Sequence, residues 1–248
     1  MRPTKGIRQT YLCQMEQKLR LHYAPDNASL IIRLALEELR LPYETILVDR
    51  ANNAQNSAHY LAINPAGLIP ALETPTGVVF ETAAILLWLS ETQGALAPLP
   101  SDPGRADFLK WLFYLSNTTH ANLRLNFYPE KFVGPSAEAQ ATLRTHARAK
   151  LTRSYDLLEG LAQDNLSWFN ASDVSIIDLY VCAMLRWSAL YPTGDTAWFD
   201  LKRWPTLHTL TQRIETRPSV AALCKAEGMA PRPFSTPDYP NPPEGVAL

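Results

Sequence analysis

Hydroxyls at the starts of two apolar helical segments are the first residues suited to binding an anion. Ser29 opens the run 29–39, and Thr82 follows Glu81 at the head of a second run. The first N–H groups of a helix carry its partial positive charge, so a hydroxyl beside them completes an anion site. Ser29 has a plainer reading as well, since a serine at that position also caps a helix. A second set lies further on, where Tyr114, Asn117, His120 and Arg124 share one helical stripe opposite Leu112, Leu115 and Thr119. That stripe reads as a solvated or subunit-facing surface.

Other chemistries find no support. His22, His59, His146 and His208 show no metal-ligand spacing, and no metal site is expected. The three cysteines, Cys13, Cys182 and Cys224, form no CxxC pair and no disulfide framework. Nucleotide-binding glycine loops and the GxSxG nucleophile pattern are missing. A formal net charge of −1 argues against a broad nucleic-acid surface. No apolar run reaches the roughly 18 residues of a membrane span.

The elements that must position these residues follow from hydrophobic spacing. Residues 19–23 alternate as a strand, with Leu19, Leu21 and Tyr23 on one face. The turn Pro25-Asp26-Asn27 leads into a helix over 29–39 with Glu37 and Glu38 outward, and Pro42 ends it. A strand at 43–48 completes β-α-β, which favours a parallel pair with a right-handed crossover. Polar residues 51–57 read as a loop, 59–63 as a short helix, and Asn64-Pro65-Ala66-Gly67 as a turn. Strands at 71–73 and 78–80 flank the hairpin turn Pro75-Thr76-Gly77, and a helix runs on from Glu81 through Ser90. Residues 93–103, with Gly94, Pro98, Pro100 and Pro103, form the linker. Beyond it the pattern is helical, over 105–127, 137–163, 176–189, 207–215 and 220–225.

The expected organisation is therefore an N-terminal extension at 1–18, an α/β domain at 19–93 of thioredoxin-like plan, an all-helical domain at 104–230 and a proline-rich tail at 231–248. The tail is either laid over the surface or disordered. Met15 is an alternative start to the chain. Trp88, Trp168, Trp187 and Trp204 are expected in the core.

Three segments resemble the glutathione transferase family. Residues 64–72, Asn-Pro-Ala-Gly-Leu-Ile-Pro-Ala-Leu, match its N-P-x-G-x-[VI]-P-x-L motif. The resemblance implies a cis bond before Pro70, with Ile69 offering its main-chain N–H and C=O to the cysteinyl part of glutathione. Glu81-Thr82-Ala83-Ala84-Ile85 is similar to the family's [EQ]-S-x-A-I. By that likeness Thr82 and the helix N-terminus take the γ-glutamyl carboxylate, and Glu81 takes the α-amino group. Val174-Ser175-Ile176-Ile177-Asp178-Leu179 resembles the capping box and hydrophobic staple of the family's helical domain. Arg203-Trp204-Pro205 and Arg217-Pro218 continue the pattern, and the matches together run from about 19 to 225.

The bacterial beta class is the most similar in pattern, and the chain departs from it at one telling place. Aligned on Pro25, that class's cysteine falls on Ala28, so the resemblance leaves Ser29 as the hydroxyl that holds the thiolate and Asn27 as reserve donor. His120 aligns with a histidine lying near the sulfur. Gln55, with Asn53 as alternative, takes the slot that meets the glycyl carboxylate. Tyr114, Asn117 and Arg124 are assigned to the second substrate.

The implied activity is addition or exchange of the glutathione thiolate on small hydrophobic electrophiles, with glutathione as co-substrate. The alternatives are a non-catalytic ligand-binding member of the same fold and a glutathione-dependent disulfide reductase. A cytoplasmic homodimer is implied, with no nucleic-acid or membrane partner.

Overall fold

The computed structural model describes residues 18–247. The extension read over 1–18, with Cys13 and Met15, lies outside the described residues apart from Lys18. Strand β1 (Leu19–Tyr23) pairs in parallel with β2 (Tyr43–Leu47) through the crossover helix α1 (Ser29–Glu38). On its other edge β1 pairs antiparallel with β3 (Ala71–Thr74), which turns through Pro75 and Thr76 into β4 (Gly77–Phe80). The strand order is β2-β1-β3-β4. The short helix α2 (Ala58–Ile63) and helix α3 (Thr82–Gln93) complete the thioredoxin-like half.

The apolar composition of α1 explains its central place. Every residue from Ser29 to Leu36 is buried, because the sheet covers one side and helices cover the others. Those helices are α3, α8 (Ile176–Leu190) and α10 (Pro218–Glu227). Such all-round burial is what a helix apolar on most faces requires. Helix α8 does the same for the helical half and is buried at every position except Ala189. Its start is the expected capping box: Ser175 Oγ accepts from the Ile177 and Asp178 N–H groups, and Asp178 Oδ2 accepts from Ser175 N–H at 2.8 Å. Val174 and Leu179 are both buried in the same core. Pro205 and Pro218 open helices α9 (Pro205–Glu215) and α10, where a missing N–H costs nothing.

Departures from the sequence reading each have a physical reason. The helix expected over 105–127 is divided into α4 (Arg105–Tyr114), a π-helical segment Leu115–His120 and α5 (Ala121–Phe127). A short α6 (Glu130–Val133) precedes the long α7 (Ala137–Gln163) and carries too few residues to show a period. Glu37 and Glu38 do not face solvent alone: Glu37 accepts from the Tyr43 hydroxyl at 2.6 Å, and Glu38 takes both Arg217 Nε and Nη2 at 2.6 and 2.7 Å. Trp168, Trp187 and Trp204 are buried, whereas Trp88 is partly exposed. The tail is ordered against the body. Phe234 is fully buried, Glu215 accepts from the Phe234 and Ser235 N–H groups, and the Tyr239 hydroxyl donates to the Leu190 carbonyl.

Candidate functional site

One cleft runs between the sheet-side loops and the helical half. Its floor is built by residues at the ends of β1, β2, α2 and β4. The Asn64–Gly67 turn closes with a Gly67 N–H bond to the Asn64 carbonyl at 3.0 Å, and Gly67 takes a left-handed φ of 64°. The Leu68 carbonyl then accepts from both the Tyr60 hydroxyl and Asn64 Nδ2 at 2.7 Å. These bonds hold the next residues in place. The Ile69–Pro70 bond is cis, as the resemblance implied. Among the described residues, the Ile69 N–H and C=O have no main-chain partner, so both remain open to an extended ligand.

Across β4, Glu81 has φ 72°, a left-handed value that a non-glycine residue holds at a cost of about 1–3 kcal/mol. The turn it makes delivers Thr82, 7% exposed, to the first position of α3, with the open N-terminus of that helix facing the cleft lining. At the far end Gln55 Nε2 donates to Asn53 Oδ1 at 2.8 Å, while Gln55 Oε1 is buried with no partner. Asn53 also accepts from Asn56 Nδ2 at 2.7 Å, so its oxygen is spent within the loop.

The loop before α1 separates Asn27 from Ser29. Asn27 Oδ1 accepts from the Ala28 N–H at 2.7 Å. That leaves Nδ2, a donor, as the free end of a residue that lines the cleft. Ser29 is fully buried and does not line it. Its hydroxyl donates to the Ala24 carbonyl at 3.0 Å and accepts from the Ala24 N–H at 3.3 Å. The serine expected at the thiol therefore closes the loop behind it.

Asp26 fixes that loop from below. It is fully buried, with φ 51°. Arg186 Nε and Nη2 reach its two oxygens at 2.8 and 2.9 Å, and Trp187 Nε1 and the Tyr191 hydroxyl donate at 3.1 and 2.7 Å. Its own N–H donates to Glu227 at 2.8 Å, and Arg33 Nε meets the other Glu227 oxygen at 3.1 Å. Burial pushes the Glu227 carboxyl up to about 7, against the pull of Arg33.

The helical wall carries Ser116, Asn117, His120, Arg124, Tyr128 and Lys131, backed by Tyr180 and Trp187. His120 Nδ1 lies 2.9 Å from the Tyr180 hydroxyl, and its ring packs against Tyr180 and Trp187 with centroids 5.7 and 5.5 Å away. Burial, with Arg124 adding, lowers the imidazole to about 4, so it is neutral near pH 7. Burial also pushes the Tyr180 phenol well above the usual tyrosine range; Glu81 adds to the rise and the Thr82 hydroxyl opposes it.

Tyr114 leaves this wall. Its hydroxyl bonds Ser154 at 2.9 Å on α7. The π segment that begins at Leu115 has a wider turn than an α-helix, so residues on either side fall out of the phase that a regular helix would give. Asn117, His120 and Arg124 stay on the cleft side. Of the residues expected at the site, Asn27, Gln55, Ile69, Pro70, Glu81, Thr82, Asn117, His120 and Arg124 meet here, and Ser29 and Tyr114 do not.

Several lining residues had no role in the sequence reading. Tyr180 and Trp187 are seven apart on α8, and that helical spacing alone places them on one face. Arg50 follows β2 in a loop, where no period marks it. Its Nη2 donates to the Tyr128 hydroxyl at 3.1 Å, and its Nη1 is buried without a partner. Cys182 and Cys224 are not in the lining, and burial raises both thiols. Among the described residues, no group of three or more His, Cys, Asp or Glu side chains is placed to hold a metal ion.

Comparison with known proteins places this geometry in a wider set. Residues 28–92 match the family model described as the glutathione S-transferase N-terminal domain. Glutathione S-transferase GST-4.5 of Xanthomonas campestris pv. campestris is 28% identical over 219 residues, covering 85% of this chain and 100% of that relative. The disulfide-bond oxidoreductase YfcG of Escherichia coli is 29% identical over 219 residues, covering 84% and 95%. A beta class glutathione S-transferase of Sphingomonas chungbukensis superposes with a TM-score of 0.69 at 29% identity, covering 84% of this chain and 98% of that one. A glutathione transferase homologue from Sulfitobacter, solved with bound glutathione, superposes at 0.71 with 25% identity, covering 84% and 97%.

Proposed function

The chain belongs to the glutathione transferase family, and on that premise we propose how its cleft binds glutathione and uses the thiolate. The enzyme is a glutathione transferase with glutathione as co-substrate. The cysteinyl main chain lies along Ile69 beside Pro70. The γ-glutamyl carboxylate docks on Thr82 and the N-terminus of α3, with the α-amino group on Glu81. Gln55 and Arg50 receive the glycyl carboxylate, which accepts from Arg50 Nη1 and so gives that unpartnered buried donor a partner. The sulfur then falls toward Asn27, whose Nδ2 donates to it and favours the thiolate. Neutral His120 and Tyr180 form the wall on which the second substrate is presented.

The observation that carries this reading is convergence. The residues assigned to each end of the tripeptide come from separate loops, yet all line one cleft with an amide donor between them. Calorimetry with glutathione and turnover of an aryl halide test it. Asn27→Ala should lower kcat/KM by about 10- to 100-fold, the worth of one hydrogen bond to a charged group. An unchanged rate would remove Asn27 from the thiol.

A second reading rests on the likeness to the disulfide-bond oxidoreductase. Here the glutathione thiolate attacks a disulfide, giving a glutathionyl mixed disulfide and releasing one thiolate. A second glutathione then attacks the mixed disulfide, releasing the other thiolate and glutathione disulfide. No protein cysteine in the described cleft is required. Reduction of a small disulfide no faster than by free glutathione would retire it.

The working unit is a cytoplasmic homodimer whose domains divide at 19–93 and 104–230, with the extension at 1–18 and the tail at 231–248 flanking them. Among the described residues no helix is long and apolar enough to cross a membrane.

A further inference from the structure

Two cations in the cleft have no assigned partner when glutathione is seated as proposed. Arg50, Arg124 and Lys131 line it, and among the described residues Glu81 is the one carboxylate in the lining. Glutathione brings two carboxylates, one ammonium and, once activated, a thiolate, which Asn27 holds. In the seating proposed above, which this inference rests on, α3 and Arg50 with Gln55 answer the carboxylates and Glu81 answers the ammonium. Arg124 and Lys131 are left over.

Neither has an acid opposite it. Among the described residues no ion pair involves Arg124 or Lys131. Arg124 is partly buried, one helical turn beyond His120 and on the same wall. A guanidinium drawn out of water without a counter-ion is held at a cost in stability. Lys131 Nζ sits 4.3 Å from the centroid of the Tyr128 ring, and the Tyr128 hydroxyl receives Arg50 at 3.1 Å. Tyr128 thereby spaces the cation that serves glutathione from the one that does not. His120, neutral at working pH, neither repels these cations nor supplies their missing anion.

We propose that Arg124 and Lys131 form an anion subsite for the second substrate, so the compounds this enzyme prefers carry a carboxylate beside their reactive centre. Arg124 offers a planar fork suited to two parallel bonds to a carboxylate, and Lys131 adds a point charge at the rim. In the aryl halide reaction the thiolate forms a carbon–sulfur bond and chloride leaves with the bonding pair. The carboxylate stays on Arg124 throughout and orients the ring. The same chemistry suits a carboxylate of a second glutathione in disulfide reduction.

Two assays distinguish these sources. The first compares chloronitrobenzoate with its methyl ester, each rate divided by its uncatalysed rate with glutathione. The wild type should favour the acid, and Arg124→Gln should lower the acid-to-ester ratio of kcat/KM by about tenfold, the worth of one charge-assisted bond. Arg124→Lys should recover part of the ratio, which a misfolded variant would not. The second assay follows the KM for glutathione during reduction of neutral hydroxyethyl disulfide. A change confined to this assay in Arg124→Gln assigns the subsite to the second glutathione. No change in either assay overturns the proposal. Calorimetry of the wild type with glutathione separates the two levels: binding without any preference for the acid sinks the subsite alone, and absence of binding sinks the seating it rests on.

Discussion

Asn27 and Ser29 stand two residues apart, and of the two only Asn27, not the serine that the sequence favoured, lines the cleft. Ser29 carries the hydroxyl the family resemblance calls for, but a short hydroxyl side chain also bonds readily to nearby backbone, and here it bonds Ala24. Ser29→Ala should therefore cost about 1 kcal/mol in a urea melt, the net worth of a buried hydrogen bond. Its kcat/KM should fall far less than that of Asn27→Ala; an equal fall would put the serine back at the sulfur. His120 gives a pH signature. Its folded-state value, about 4, lies below the ordinary 6.5, so between these values the unfolded chain binds more protons than the folded one. Stability is fully present above pH 6.5 and is lost as pH falls through about 4. The loss attributable to His120 is roughly 2–3 kcal/mol at the acid end. Denaturant melts at pH 7 and pH 4.5 should show a smaller difference in His120→Asn than in the wild type.

Among the elements, those that were legible in the sequence are the ones whose order is local. Alternation marked β1, the turn residues marked the β3–β4 hairpin, and Ser175 with Asp178 marked the start of α8. Each depends on neighbours within a few positions, which is what spacing can carry. The π segment was not legible, because an i→i+5 turn leaves no distinct pattern in residue types. Tyr114, just before it, bonds Ser154, while His120, at its end, stays at the cleft. Arg50 escaped for a similar reason, since a loop has no period to betray which side chain turns inward. The bond between the loop before α1 and helix α8 spans 160 positions, beyond any local signal. Asp26→Asn tests it: asparagine also tolerates a positive φ, so the change removes charge and little else. Leaving Arg186 buried without its partner should cost about 3–5 kcal/mol in chemical denaturation, with a fall in glutathione affinity as Asn27 loses its support.

At the scale of the whole molecule, the two halves share α1 as a common core element, and the cleft lies along their junction. The thioredoxin-like and helical plan was legible from the order of strands and helices alone. The tail was not, because six prolines exclude helix without saying where the chain goes. It goes back to the beginning. The Arg186 guanidinium that holds Asp26 also binds the Pro233 and Asp238 carbonyls, the Asp26 N–H ends on Glu227, and the Tyr23 hydroxyl donates to Glu244. On the ribosome, the first strand and the loop around Asn27 are made while these partners are still untranslated. The N-terminal half thus emerges without the residues that brace this loop. The loop around Asn27 therefore gains its full set of supports only once residues as far along as Glu244 have been made and folded back onto it.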